Sequence, residues 1–306
     1  MNRVAIVGAG VVGAGWAARF LLNGYQVNVF DPSPECERIV NETVERARKH
    51  VTTLQGASPP EGLLSFTHAL DEAVLDVHWV QESLPEDIEL KSSVLRQIDT
   101  LASDTVPICS STSGFKPSVL GDAVLNSKRL FVCHPFNPVY LLPLVEVVPH
   151  ADVQEPLLEQ VVDRLTDLGM RPLRVRKEID GHIADRLLEA MWREALWLIH
   201  DDIATTEEID AAIKHGFGLR WAQMGLFETY RLGGGEAGMR HFLEQFGPAL
   251  QWPWTKLMDV PDLDDTLIDK IAEQVEAQTG DKTVSELMDE RDRNLVAILN
   301  ALDRVS

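Results

Sequence analysis

The residues best placed to do chemistry begin near the N-terminus. Gly8-Ala9-Gly10-Val11-Val12-Gly13 is a G-x-G-x-x-G run between a short β-branched stretch and an apolar stretch with helical spacing. In that setting Gly8 permits a tight turn, Gly10 lets the backbone approach a pyrophosphate, and Gly13 lets the helix pack close to the sheet. The amides at the helix N-terminus then face the anion. Asp31 ends the next strand pattern, about 20 residues further on. A carboxylate there accepts hydrogen bonds from adenosine ribose hydroxyls and repels a 2'-phosphate. No arginine follows Asp31 immediately to reverse that preference. The expected cofactor is NAD, held by Gly8, Ala9, Gly10, Val11, Val12, Gly13 and Asp31. A surface acid capping the next helix is the plainer reading of Asp31, and the glycine context outweighs it.

Further along, hydroxyl, imidazole and carboxylate side chains occur in Ser110-Ser111-Thr112-Ser113-Gly114, His134-Pro135-Phe136-Asn137-Pro138 and Leu144-Val145-Glu146-Val147. Taken singly, His134 reads as a structural histidine at a strand end and Glu146 as a surface strand acid. Together with Gly181-His182-Ile183-Ala184-Asp185-Arg186-Leu187, these segments resemble the 3-hydroxyacyl-CoA dehydrogenase superfamily, over nearly the whole chain. The resemblance implies that Ser113 hydrogen-bonds the substrate hydroxyl, that His134 is the general base, and that Glu146 orients it. The residue types suit the reaction. An alcohol that loses hydride from C3 must also lose its hydroxyl proton, which an imidazole can take near neutral pH. A carboxylate on the far ring nitrogen fixes the tautomer and stabilises the imidazolium. The same resemblance implies cofactor contacts from Glu86, Lys91 and Asn137. Without it, 85–91 is a charged first helical turn and Asn137 a turn residue between two prolines. One position departs from the family: Asp185 stands where a substrate-site asparagine is usual. A carboxylate can only accept hydrogen bonds. It is therefore expected to hold a cation, to pair with Arg186 or another base, or to be a polar helix residue.

These side chains need a scaffold to bring them together. Strand patterns cover 3–7, 26–30, 79–82, 106–110, 130–134, 144–148 and 172–175, with helical patterns at 16–22, up to about 54, and between several later strands. Such alternation predicts an α/β fold, a Rossmann-like, doubly wound, mostly parallel sheet. After Gly181 the pattern becomes helical, at 184–200, 206–215, 237–246, 265–278 and 284–302. Two domains are expected: 1–180 for NAD binding and an all-α 181–306 for substrate binding and dimerisation. The 306 residues suffice for two cores.

Charge narrows the substrate. A formal net charge of −20 argues against nucleic acid and disfavours polyanionic ligands such as a coenzyme A thioester. The connection at 54–64 is short where acyl-CoA members of the family carry a longer, lysine-rich insertion. Gly218-Leu219-Arg220-Trp221 and the segment 224–229 resemble the branch that oxidises small free hydroxy acids, gulonate among them. Arg220 is implied there as a guanidinium for the substrate carboxylate. The segments 227–231, 238–242 and 252–257 resemble carnitine-oxidising members. They imply oxidation of L-carnitine to 3-dehydrocarnitine, with L-gulonate or another small 3-hydroxy acid as the alternative. A trimethylammonium group has no hydrogen-bond donor and is recognised by aromatic faces. Trp192, Phe227 and Tyr230 are the candidates, with Asp185 nearby in sequence to Trp192. The other aromatic residues of the helical region are expected to be mostly core.

Cys36, Cys109 and Cys133 are too few for a disulfide framework, and no Cys/His spacing suggests a metal site. Apolar runs fall short of a membrane span, and the first residues lack signal-peptide features. The expected location is the cytoplasm. The family resemblance implies a homodimer. A crystallin-like, NAD-binding but non-catalytic protein is the non-enzyme alternative, and the presence of Ser113, His134 and Glu146 argues against it.

Overall fold

The computed structural model describes residues 2–233, 236, 238–256, 262, 264–279 and 283–303. Eight strands form one sheet in the order β3-β2-β1-β4-β5-β6-β7-β8. They are β1 Arg3–Val7, β2 Gln26–Phe30, β3 Leu63–Thr67, β4 Val80–Glu82, β5 Ile108–Ser110, β6 Leu130–Pro135, β7 Leu144–Pro149 and β8 Arg171–Arg174. The first six run parallel, β7 is antiparallel to β6, and β8 is parallel to β7. The chain changes direction along the sheet between β1 and β4, the switch point at which doubly wound sheets bind ligands.

Alternation along β1 divides the core. Val4 and Ile6 join one apolar cluster, and Ala5 and Val7 join the other. The first cluster takes in Ala14, Trp16, Ala17 and Phe20 of α1 (Val11–Leu21) and Val40, Val44 and Ala47 of α2 (Cys36–Gln55). The second takes in Val74 of α3 (Leu70–Val74), Leu95 and Ile98 of α4 (Ile88–Leu101), and Leu120 of α5 (Pro117–Gly121). With both faces covered, the central strand is a continuous apolar run. The end of α4 is locked beside β6 by a buried pair: Arg129 Nη2 lies 2.7 Å from Asp99 Oδ1, and Asp99 Oδ2 accepts from the amides of Leu125 and Asn126. Helix α6 (Glu155–Asp167) follows β7 and packs Val161 and Leu165 into the first cluster.

Two compact units emerge, one built on the sheet through residue 186 and including 288–303, the other spanning 187–287. The return of α12 (Val284–Asp303) to the sheet unit has a clear chemical basis. Tyr140 Oη donates to Asp292 Oδ2 at 2.5 Å, Val296 joins the first cluster, and Asp289 meets Arg46 and Lys49 of α2. The second unit contains most of α7 (Ala184–His200), then α8 (Thr206–Ala212), α9 (Gly218–Gly233), α10 (Gly238–Phe246) and α11 (Asp265–Thr279). Thr205 and Glu208 close a capping box on α8. Within this unit Lys270 bonds the Ile199 carbonyl at 2.8 Å and the Asp202 carboxylate.

The structure corrects three expectations. The connection expected over 54–64 is shorter, because α2 runs to Gln55 and Leu63 already starts β3. As an edge strand β3 leaves Leu63 exposed, which hides it in an apolar-pattern reading. The segment 218–233 forms α9, with a break in the helical geometry at Gly225, where φ is +69°. Glycine and mixed polarity there mask the helical period. The aromatic residues expected as core are instead exposed in large part, as described below. The start of the helix expected at 237 and the final residue of the 252–257 segment lie outside the described residues.

Candidate active site

At the C-terminal end of β1, Gly8 has φ +93°, and its amide donates to the Phe30 carbonyl at 2.9 Å. A side chain at Gly13 is impossible without rearrangement: its Cβ would stand 1.9 Å from the Gly8 carbonyl oxygen. At Gly10 a Cβ would meet nothing within 4 Å. The start of α1 is therefore closed toward the sheet and open outward, with no side-chain cap on its first amides. That open helix end fits a dinucleotide pyrophosphate. Val11 is exposed there, whereas Val12 packs against the core. Asp31 ties this turn to β2. Its Oδ2 accepts from Ala9 N at 2.7 Å and its Oδ1 from Ser33 N at 2.8 Å. Ala9 N is thus committed to Asp31, and each carboxylate oxygen retains a second lone pair for a ribose hydroxyl. Asp31 does not cap α2, whose N-cap is Glu35.

The antiparallel register of β6 and β7 sets His134 directly opposite Glu146. His134 Nδ1 is 3.1 Å from Glu146 Oε2, and both side chains are buried. The other carboxylate oxygen accepts from Ile183 N at 2.8 Å and Ala184 N at 2.9 Å, at the N-terminus of α7. Burial pushes the Glu146 carboxyl upward, but the His134 hydrogen bond and the two amides outweigh it and hold it below its ordinary value. A carboxylate beside Nδ1 favours the tautomer with its proton on that nitrogen, which leaves Nε2 as acceptor.

A third side chain in this cluster, His182, was not evident from sequence. Its ring centroid lies 5.8 Å from that of His134, it is fully buried, and its ring nitrogens lack a hydrogen-bond partner among the described residues. Burial, then the neighbouring His134, push its pKa down. Its backbone is left-handed, φ +48°, as is that of Gly181 at +69°. The two turns aim the following amides at Glu146. The sequence signal was the glycine before a polar residue at a helix start.

The Ser110–Gly114 segment is pinned at nearly every residue. Ser110 donates to Glu82 Oε2 at 2.5 Å, and Ser111 Oγ meets Trp16, Gln81 and Ser83. Thr112 donates to Glu86, and Gly114 N donates to Glu86 Oε1 at 3.1 Å. Ser113 is half-buried, and its hydroxyl has no partner among the described residues. Lys91 is buried, with Nζ 2.9 Å from Glu82 and 3.5 Å from Glu86, whose side chain is exposed. Asn137 is exposed at the turn after β6, and Asp185 is half-buried in the first turn of α7.

Of the substrate candidates in the second unit, Trp192 lies on α7 and is 57% exposed, and Arg220, Phe227 and Tyr230 lie on α9. Phe227 is 72% exposed, and Tyr230 stacks on Phe242 with centroids 4.9 Å apart. Phe246, Trp252 and Trp254 are exposed as well, contrary to a core role. Helical spacing marks an apolar face without saying whether it is covered by the same chain.

Comparison with known proteins fits this geometry. The 3-hydroxyacyl-CoA dehydrogenase NAD-binding domain matches residues 3–179 and the C-terminal domain of the same family matches 181–273. The chain is 56% identical, over 99% of its length, to the L-carnitine dehydrogenase/betainyl-CoA thioesterase of Ruegeria pomeroyi, spanning 62% of that protein. It is 47% identical to the L-carnitine dehydrogenase of Oceanobacillus iheyensis, over 99% of both chains. Among solved structures, 5-formyl-3-hydroxy-2-methylpyridine 4-carboxylic acid 5-dehydrogenase, an NAD+-dependent dismutase, superposes with a TM-score of 0.82 at 26% identity, over 99% of each chain. Turn, sheet order and both domain matches agree: the chain belongs to the 3-hydroxyacyl-CoA dehydrogenase family.

Proposed function

We propose that this chain oxidises L-carnitine at C3 to 3-dehydrocarnitine. The observation that carries the chemistry is the buried His134–Glu146 pair, set by the β6–β7 register and by two backbone amides. The choice of substrate is supported by relatives named L-carnitine dehydrogenase at 47% to 56% identity, over nearly the whole chain. When bound, NAD supplies a two-electron hydride acceptor. The chain's own residues manage the proton. His134 takes it from the C3 hydroxyl on Nε2, Glu146 stabilises the resulting imidazolium, and the unpartnered Ser113 hydroxyl holds the alcohol oxygen. Asp31 selects NAD through the ribose hydroxyls, the Gly8 to Gly13 turn with Val11 and Val12 receives the pyrophosphate, and Glu86, Lys91 and Asn137 complete the cofactor site, Lys91 acting through Glu86.

Arg220 is assigned to the carboxylate of L-carnitine. Asp185, Trp192, Phe227 and Tyr230 are assigned to its trimethylammonium group. The exposure of Trp192 and Phe227 leaves aromatic faces available, and a net charge of −20 favours a cationic ligand over a polyanion. The second unit serves as a homodimer interface, a role supported by its exposed apolar residues. Three unpaired cysteines fit a reducing cytoplasm. His134→Ala tests the proton step. Turnover should fall by about a hundred- to ten-thousandfold with NAD affinity, read by titration, nearly intact; wild-type turnover would remove His134 from the mechanism.

A further inference from the structure

Glu86 is in an unusual position for a residue expected only to touch the cofactor. Its Oε1 accepts from the hydroxyl of Thr112 and from the amide of Gly114, so it bonds the residues on both sides of Ser113. The hold continues inward. Thr112 Oγ1 also accepts from Phe115 N at 3.1 Å, and Glu86 Oε2 is 3.5 Å from the buried ammonium of Lys91. Lys91 is anchored in turn by Glu82 Oε1 at 2.9 Å and by the Leu84 carbonyl at 3.1 Å, while Glu82 Oε2 accepts from Ser110. Two carboxylates sharing one ammonium thus grip 110–114 at both ends. Every hydroxyl in the segment is engaged except that of Ser113.

We propose that Thr112 and Glu86 are positioning residues, a clamp that fixes the loop so that the free Ser113 hydroxyl meets the substrate alcohol. This rests on the reading of Ser113 given above. Physically, a reacting group must be held within about half an ångström of its productive geometry, and a three-residue loop without such bonds has no reason to stay there. Thr112 is 1% exposed and has no free surface to offer NAD or substrate, so it can affect turnover only through its neighbours.

The test is a double-mutant cycle. Thr112→Val keeps the shape and removes the hydroxyl. It should lower kcat/KM for the hydroxy acid by about ten- to a hundredfold, leave the Kd for NAD unchanged, and be rescued by Thr112→Ser. Placed on Ser113→Ala, the same substitution should add less than about twofold, because the group it positions is gone. Glu86→Ala, made at an exposed side chain, should show the same non-additivity without endangering the fold. Hydrogen exchange provides a readout independent of activity: the Gly114 amide should exchange faster in Thr112→Val and Glu86→Ala than in the wild type. Full additivity with Ser113→Ala, an effect confined to NAD affinity, unchanged exchange at Gly114, or wild-type kcat in Ser113→Ala would each overturn the clamp. Failure of the wild type to oxidise any hydroxy acid would instead sink the proposed function, and exchange at Gly114 would still decide whether the loop is clamped.

Discussion

Glu146 shows how one carboxylate can stay charged inside a protein. It is fully buried yet has all its strong partners: an imidazole on one oxygen and two amides on the other. Its pKa is held below the ordinary 4.5, so the stability it contributes is complete above that value and is lost as pH falls below it. Glu146→Gln cannot reproduce these contacts, since an amide nitrogen accepts nothing. The variant should be less stable by about 1–3 kcal/mol near neutrality, a gap that narrows as the pH of urea unfolding falls below 4.5. Turnover should fall at least about a hundredfold. A constant gap through that window would mean that Glu146 is not ionised in the fold. His134 and Glu146 were legible through the family resemblance of the motifs that carry them, since taken singly each reads as an ordinary strand residue. The amides of Ile183 and Ala184 were not legible, since only the folded chain returns them to β7. The bond between Glu86 and Thr112 was hidden in the same way, the two being 26 residues apart.

At the scale of elements, the first turn and helix were the most legible part of the chain. Gly8, Gly10 and Gly13 answer three different constraints: a left-handed turn, an open approach and a helix pressed onto backbone. Gly13→Ala tests the last of these. Its methyl group would lie against the Gly8 carbonyl, which is backbone and cannot rotate away. Overpacking of this kind costs about 1–3 kcal/mol, so thermal unfolding should shift to lower temperature and NAD titration should weaken together. An unchanged melting temperature with normal NAD affinity would show that α1 does not need this close approach. The edge strand β3 and helix α9 were harder to read, because an edge exposes its leucine and a glycine interrupts the helical period.

For the whole molecule, the second unit presents an unusual surface. Leu187, Leu188, Leu219, Phe246 and Trp254 are exposed, as are the substrate candidates Trp192 and Phe227. Phe246 and Trp254 were among the aromatic residues expected to be mostly core, and spacing could not distinguish a covered apolar face from an exposed one. Light scattering at micromolar concentration should give twice 34.1 kDa; a monomeric mass would contradict the dimer.

The central claim is a substrate with a fixed positive charge at one end and a carboxylate at the other, oxidised between them. The most direct test is NADH formation by the wild-type chain with L-carnitine, L-gulonate and 3-hydroxybutyrate, with NAD and with NADP. L-carnitine with NAD should be turned over best. Its advantage over 3-hydroxybutyrate, which lacks the cation, should be roughly two- to thirtyfold per aromatic contact. Absence of NADH formation with L-carnitine, while another hydroxy acid is oxidised, would contradict the assignment and the trimethylammonium site together.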